Sequence, residues 1–92
     1  MTFTICIPRV CKYIEKEQIK TIFEPYNFGE LYKIIILENN NFNKVFIHYN
    51  SLYNNQNTQL MLKTLDENKY FNIIYDKPWF WKCYKYYDKS NR

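Results

Sequence analysis

Residues 14–24 carry the period of a helix, and they lie between two stretches that carry the period of a strand. That placement constrains so short a chain more than any other feature. Ile19, Ile22 and Phe23 fall at i, i+3 and i+4 and form one apolar stripe. Glu15 and Glu17 stand where carboxylates suit the positive end of a helix dipole, and Pro25 stops the run. No Ser, Thr, Asp or Asn is in place to cap its start. Before the helix, residues 3–9 alternate, with Phe3, Ile5 and Ile7 on the inward parity and Pro8 marking the strand end. After it, residues 31–38 are a dense β-branched run, and residues 44–49 alternate again. Val45, Ile47 and Tyr49 share one parity, while Lys44, Phe46 and His48 share the other. The short turn at 38–43 makes these two strands an antiparallel hairpin. Gly29 is the only glycine, and its retention predicts a positive φ between helix and strand.

The second half repeats the alternation of periods. Residues 57–67 read as a helix with Met61, Leu62 and Leu65 buried, capped by Asn57 or Thr58. Residues 70–75 are a short apolar run with strand character, broken by Asp76-Lys77-Pro78, and residues 79–87 are a final aromatic-rich strand. The Asn-rich stretches 39–43 and 54–57 read as loops. The order predicts an α+β, ferredoxin-like βαββαβ fold: a four-stranded antiparallel sheet with two helices on one face and the other face open. Residues 1–92 suffice for a single domain of this kind, with one modest core.

Composition narrows the function classes. With 47 % hydrophobic and 21 % aromatic residues, the chain is not expected to be disordered. The longest unbroken apolar run, 34–37, is far short of the roughly 20 residues of a membrane span, so no membrane partner is expected. No basic residue precedes the first apolar stretch, which argues against a secretory signal. Three cysteines, an odd number, suit an intracellular, reducing compartment better than a disulfide scaffold. The heavy use of Phe, Tyr, Asn, Lys and Ile, with no alanine, points to an A/T-rich genome such as that of a parasite or a large DNA virus. That bias alone raises lysine and aromatic content, so the net charge of +4 is modest evidence for nucleic-acid binding. The charge is nonetheless uneven, its C-terminal excess falling at Lys77, Lys82, Lys85, Lys89 and Arg92.

The order and spacing resemble an RNA recognition motif. The stretch from Gln18 through Phe23, Pro25, Phe28 and Gly29 to Leu31 looks like that family's first helix and its turn into strand two. Ile5-Cys6-Ile7-Pro8-Arg9-Val10 occupies the place of the six-residue strand-one motif, and Phe42-Asn43-Lys44-Val45-Phe46-Ile47-His48-Tyr49 that of the eight-residue strand-three motif. Cys6 and Lys44 stand where the family carries base-stacking aromatics; Phe46 keeps the third such position. The Pro78-Trp79-Phe80-Trp81-Lys82-Cys83 ending is similar to endings of RNA-recognition-motif-like proteins of large DNA viruses. The resemblance implies single-stranded RNA binding on the open sheet face.

On the residues themselves, that face is expected to present Cys6, Lys44, Phe46 and His48, with Lys33 from strand two. On the last strand Lys82 and Tyr84 are expected to face outward, because Trp81 and Cys83 make better core residues. Phe46 and Tyr84 would stack bases, and Lys44, Lys33 and Lys82 would meet phosphates. The rival reading is a protein-interaction or scaffold module, self-associating or holding another protein through the same aromatic face. Cys6, Cys11, Cys83 and His48 are chemically suitable zinc donors, but Cys6 and Cys11 straddle a strand end and a proline, so no metal or other cofactor is expected. The alternative to zinc is that Cys6 and Cys83 are neighbours on adjacent strands, either as buried small hydrophobes or as an oxidisable pair. One histidine, no nucleophile–base spacing and no glycine-rich phosphate loop make an enzyme unexpected.

Overall fold

The computed structural model describes residues 2–86. The elements are β1 (Phe3–Val10), α1 (Lys16–Phe23), a 3-10 turn (Glu24–Tyr26), β2 (Gly29–Glu38), β3 (Asn43–Leu52), α2 (Gln56–Asn68), β4 (Tyr70–Asp76) and β5 (Trp79–Lys85). The class is α+β with two helices. The sheet, however, has five strands where four are expected, in the order β2-β3-β1-β5-β4, with every neighbouring pair antiparallel. The added strand is the run broken by Asp76-Lys77-Pro78. A two-residue turn at Lys77 and Pro78 folds it back on β5, where Phe71 meets Cys83 and Ile73 meets Trp81. The last strand stops at Lys85, and residue 87 of the expected strand lies outside the described residues.

One side of the sheet makes the core. Phe3, Ile5 and Ile7 of β1, Val45, Ile47 and Tyr49 of β3, Ile34 of β2, Phe71 and Ile73 of β4, and Trp81 and Cys83 of β5 all bury on it. Ile19 and Phe23 of α1 and Met61 and Leu65 of α2 enter the same cluster, so both helices cover that one side. A strand's two-residue period then sends the intervening side chains to the opposite face.

Local chemistry sets the boundaries. Glu15 caps α1, and its main-chain N–H donates to Gln18 Oε1 at 2.9 Å, the reciprocal half of a capping box in which Glu15 stands where a Ser or Thr is usual. Helix α2 is capped by Asn55, two residues before Asn57 and three before Thr58: its side-chain oxygen accepts from the Thr58 N–H at 2.9 Å. Thr58 lies inside the first turn, buried, with its hydroxyl donating to the Phe28 carbonyl at 3.0 Å. The buried stripe is therefore Thr58, Met61 and Leu65, and Leu62, expected in the core, is exposed.

Gly29 departs from expectation in its reason. It has no positive φ; the left-handed residues are Asn27 (φ 54°) and Lys69 (φ 74°), which end the 3-10 turn and α2. Gly29 opens β2 opposite Leu52, where a Cβ would collide with the Ser51 carbonyl oxygen and come 2.9 Å from the Leu52 Cα. Close backbone approach, not a turn, requires it.

A candidate nucleic-acid interface on the open sheet face

Strand register assembles the face row by row. Ile35, Phe46, Cys6, Tyr84 and Tyr70 are successive partners across β2, β3, β1, β5 and β4. This middle row is aromatic on both sides of Cys6. On one flank lie Lys33, His48 and Thr4; on the other, Leu37 beside Lys44 and Lys82 beside Asn72. All seven residues expected on the face, Cys6, Lys33, Lys44, Phe46, His48, Lys82 and Tyr84, are thus on it together. Lys33 and Lys82 are exposed, and the other five are half-buried.

The aromatics hold one another in place. Tyr70 and Tyr84 pack with ring centroids 5.8 Å apart, and the Lys82 ammonium lies 4.9 Å from the centre of the Tyr70 ring. Tyr86, whose N–H donates to the Thr4 carbonyl at 2.9 Å, continues the strand's outward parity. Its ring meets Phe46 edge-on, centroids 4.9 Å apart, reaching diagonally across β1.

The face is electropositive by arrangement. Among the described residues, Glu15, Glu17, Glu24, Asp66 and Glu67 belong to the helices and their ends, and Glu30, Glu38 and Asp76 stand at or near strand ends, so the rows between carry none. His48 Nδ1 is 2.9 Å from Thr4 Oγ1. Burial and the nearby Lys33 ammonium push its pKa below the usual histidine range. Burial raises the Cys6 thiol pKa more than neighbouring Lys44 lowers it, so Cys6 stays a neutral thiol in the aromatic row.

A groove deepens the face beside this row. Strands β1 and β5 share ladder pairs only at Ile5–Lys85 and Cys6–Tyr84. Beyond them Pro8 has no N–H to give, and the pairing of β1 with β3 shifts register between Ile7 and Val10. The strands part there around a cavity of about 450 Å³ lined by Pro8, Arg9, Phe80, Lys82 and Tyr84. Arg9, Phe80, Tyr70 and Tyr86 are the members of the site that sequence reasoning missed. The parity of the last strand contains the signal for Phe80 and Tyr86. Tyr70 and Arg9 depend on β4 pairing and on the splayed strands, neither of which is local in sequence.

Cys6 and Cys83 lie on the adjacent strands β1 and β5 but on opposite sides of the sheet. Cys6 faces Tyr84 across the ladder, so Cys83, one residue earlier on β5, points to the opposite side and is buried in the core. Cys6, Cys11 and Cys83 are all free thiols, and among the described residues no three His, Cys, Asp or Glu side chains gather closely enough to hold a metal ion. No described helix is long and apolar enough to cross a membrane. Comparison with protein families, with curated proteins and with solved structures finds no match for this chain, so the reading of the site rests on its own geometry.

Proposed function

We propose that the chain is an RNA-recognition-motif-like module that binds single-stranded RNA on this face. In this reading β2, β3, β1 and β5 form a ferredoxin-like four-stranded unit, and β4 is an added edge strand that widens the platform with Tyr70. The observation that carries it is the aromatic row of Phe46, Tyr84 and Tyr70, lying between Lys33 with His48 on one flank and Lys44 with Lys82 on the other. Phe46 and Tyr84 lie two strands apart, about 10 Å, which leaves room for a stacked base on each. A base stacked on an aromatic ring contributes about 1–3 kcal/mol whatever its identity, and lysines on both flanks attract the phosphates that connect successive bases. With Cys6 and Lys44 in two of the three stacking places, and Asn72 the one amide in the rows flanking the aromatics, sequence preference is expected to be low.

Titration of a labelled mixed-sequence single-stranded RNA at about 50 mM salt tests the reading. Saturable binding that Phe46→Ala weakens by about 1–3 kcal/mol supports it. Absent binding, or binding indifferent to Phe46→Ala, overturns it. A specific observation also favours protein contact on the same face: Leu37 (49 % exposed), Ile74 (53 %) and Phe80 (48 %) give it apolar surface at three of its borders. A light-scattering mass well above 11.5 kDa without RNA, lowered by Tyr84→Ala, is the result that prefers this reading.

A further inference from the structure

The helix-covered side of the sheet has a groove of opposite character. It opens where the β4–β5 hairpin meets α1 and the segment that precedes it, with a cavity of about 600 Å³. Ile14 and Ile22 form its apolar part, and both are packed against the core. Tyr13, Tyr75 and Trp79 supply three aromatic rings, and Asp76 supplies a carboxylate. Tyr75 is fixed by stacking on the buried Trp81, with centroids 4.4 Å apart and planes 15° from parallel. Tyr13 and Trp79 are open to solvent, at 81 % and 64 % exposure, far more than large aromatics of a satisfied core. The remaining lining residues are Cys11 and Gln18, so no lysine or arginine lines the groove in a chain of net charge +4.

We infer that this groove binds a cationic side chain, specifically an arginine presented by a basic peptide segment of a partner protein. The groove and a guanidinium are complementary in charge. The face of an aromatic ring carries negative potential, and a guanidinium stacks flat on it better than an ammonium does. Asp76 adds a formal charge that accepts two parallel hydrogen bonds from the guanidinium fork. The groove's ionisable lining groups, Cys11, Tyr13, Tyr75 and Asp76, are all neutral or negative, never positive. Their mutual proximity is visible in the phenols: a hydrogen bond with Cys11 is the main cause holding the Tyr13 pKa above the usual range, and burial, then Cys11 and Asp76, do the same for Tyr75. The cavity exceeds what one side chain fills and lies within the range of peptide and ligand sites, so a segment of two or three residues fits. The occupant differs in sign from that of the opposite face, which gathers Lys33, Lys44 and Lys82 for an anion.

The test uses capped tri-arginine and capped tri-glutamate peptides, titrated into the whole chain and followed by the indole N–H signals of Trp79 and Trp81. The expected result is a saturable shift of the Trp79 signal with tri-arginine, binding at least tenfold tighter than tri-glutamate, weakened at least fivefold by Asp76→Asn and by Trp79→Ala (the latter followed by calorimetry). Both side chains lie at the surface, so unchanged melting curves are expected to show that the variants fold. Equal response to the two peptides, a shift that leaves Trp79 unmoved, or binding that survives both substitutions overturns the inference.

Discussion

At the scale of single residues, two positions link backbone and side-chain chemistry to measurable stability. Gly29→Ala forces a methyl group against the Ser51 carbonyl and the Leu52 Cα, both main-chain atoms that cannot rotate away. β2 and β3 must separate at their ends, and an overpacking cost of about 2–3 kcal/mol is expected from urea unfolding. His48 acts through protons. Burial and Lys33 lower its pKa in the folded chain below the value it has unfolded. Above the unfolded pKa of about 6.5 both states are neutral and His48 has no effect. As pH falls below that value the unfolded chain takes up a proton more readily, so stability drops until the folded pKa is passed, and then levels off. Thermal melts between pH 7.5 and 5 are expected to show that drop, and His48→Asn to reduce it. RNA bound beside His48 reverses the sign for affinity: a phosphate favours the imidazolium, so binding tightens as pH falls through the same window, and a pH-independent affinity argues against phosphate contact there.

At the scale of elements, α2 hangs on its first turn. Asn55 accepts from the Thr58 N–H with its side-chain oxygen and donates from Nδ2 to the Asn27 carbonyl at 2.8 Å, so one side chain caps the helix and ties it to the turn before β2. Asn55→Ala is expected to lose about 1–2 kcal/mol in urea unfolding, while Asn57→Ala, which removes only an exposed bond to the Tyr26 carbonyl, loses less. This cap shows where sequence reading stops. The alternation in residues 3–7 and 44–49 is readable because a strand's period is two and each parity is uniformly apolar or mixed. In the last strand both parities carry aromatics and a lysine, so the pattern leaves the register open and only the volume of Trp81 and the thiol of Cys83 favour the inward side. In residues 54–58, three asparagines and a threonine all suit a cap, and only the tertiary bonds of Thr58 to the Phe28 carbonyl and of Asn55 to the Asn27 carbonyl select Asn55. Residues 70–75 form a strand because β5 is beside them, a pairing no local pattern contains. The groove at Arg9 and Phe80 arises where Pro8 ends the β1–β5 ladder, and its depth follows from that divergence, not from either segment alone.

At the scale of the whole molecule, the described carboxylates are sorted by side, although the helices carry lysines as well. The helices and their caps hold most of the described carboxylates, while the open face and its groove hold Arg9, Lys33, Lys44 and Lys82. That sorting predicts how binding responds to salt, which separates the proposed ligand from an apolar protein partner. Each phosphate neutralised on a single strand contributes about −0.7 to the slope of log affinity against log salt. Four cations on one face set a slope of about −3, hence a loss of about 50-fold between 50 and 200 mM salt. Lys82→Gln removes one of the four and is expected to flatten the slope by about 0.7, with the same flattening for any RNA sequence, because a phosphate contact is blind to the base. Phe46→Ala behaves differently: it lowers affinity equally at every salt concentration, because stacking releases no counterion. A slope near zero, or one that Lys82→Gln leaves unchanged, would show that the cations of this face do not meet a phosphate backbone, and the exposed Leu37, Ile74 and Phe80 would then account for whatever binds.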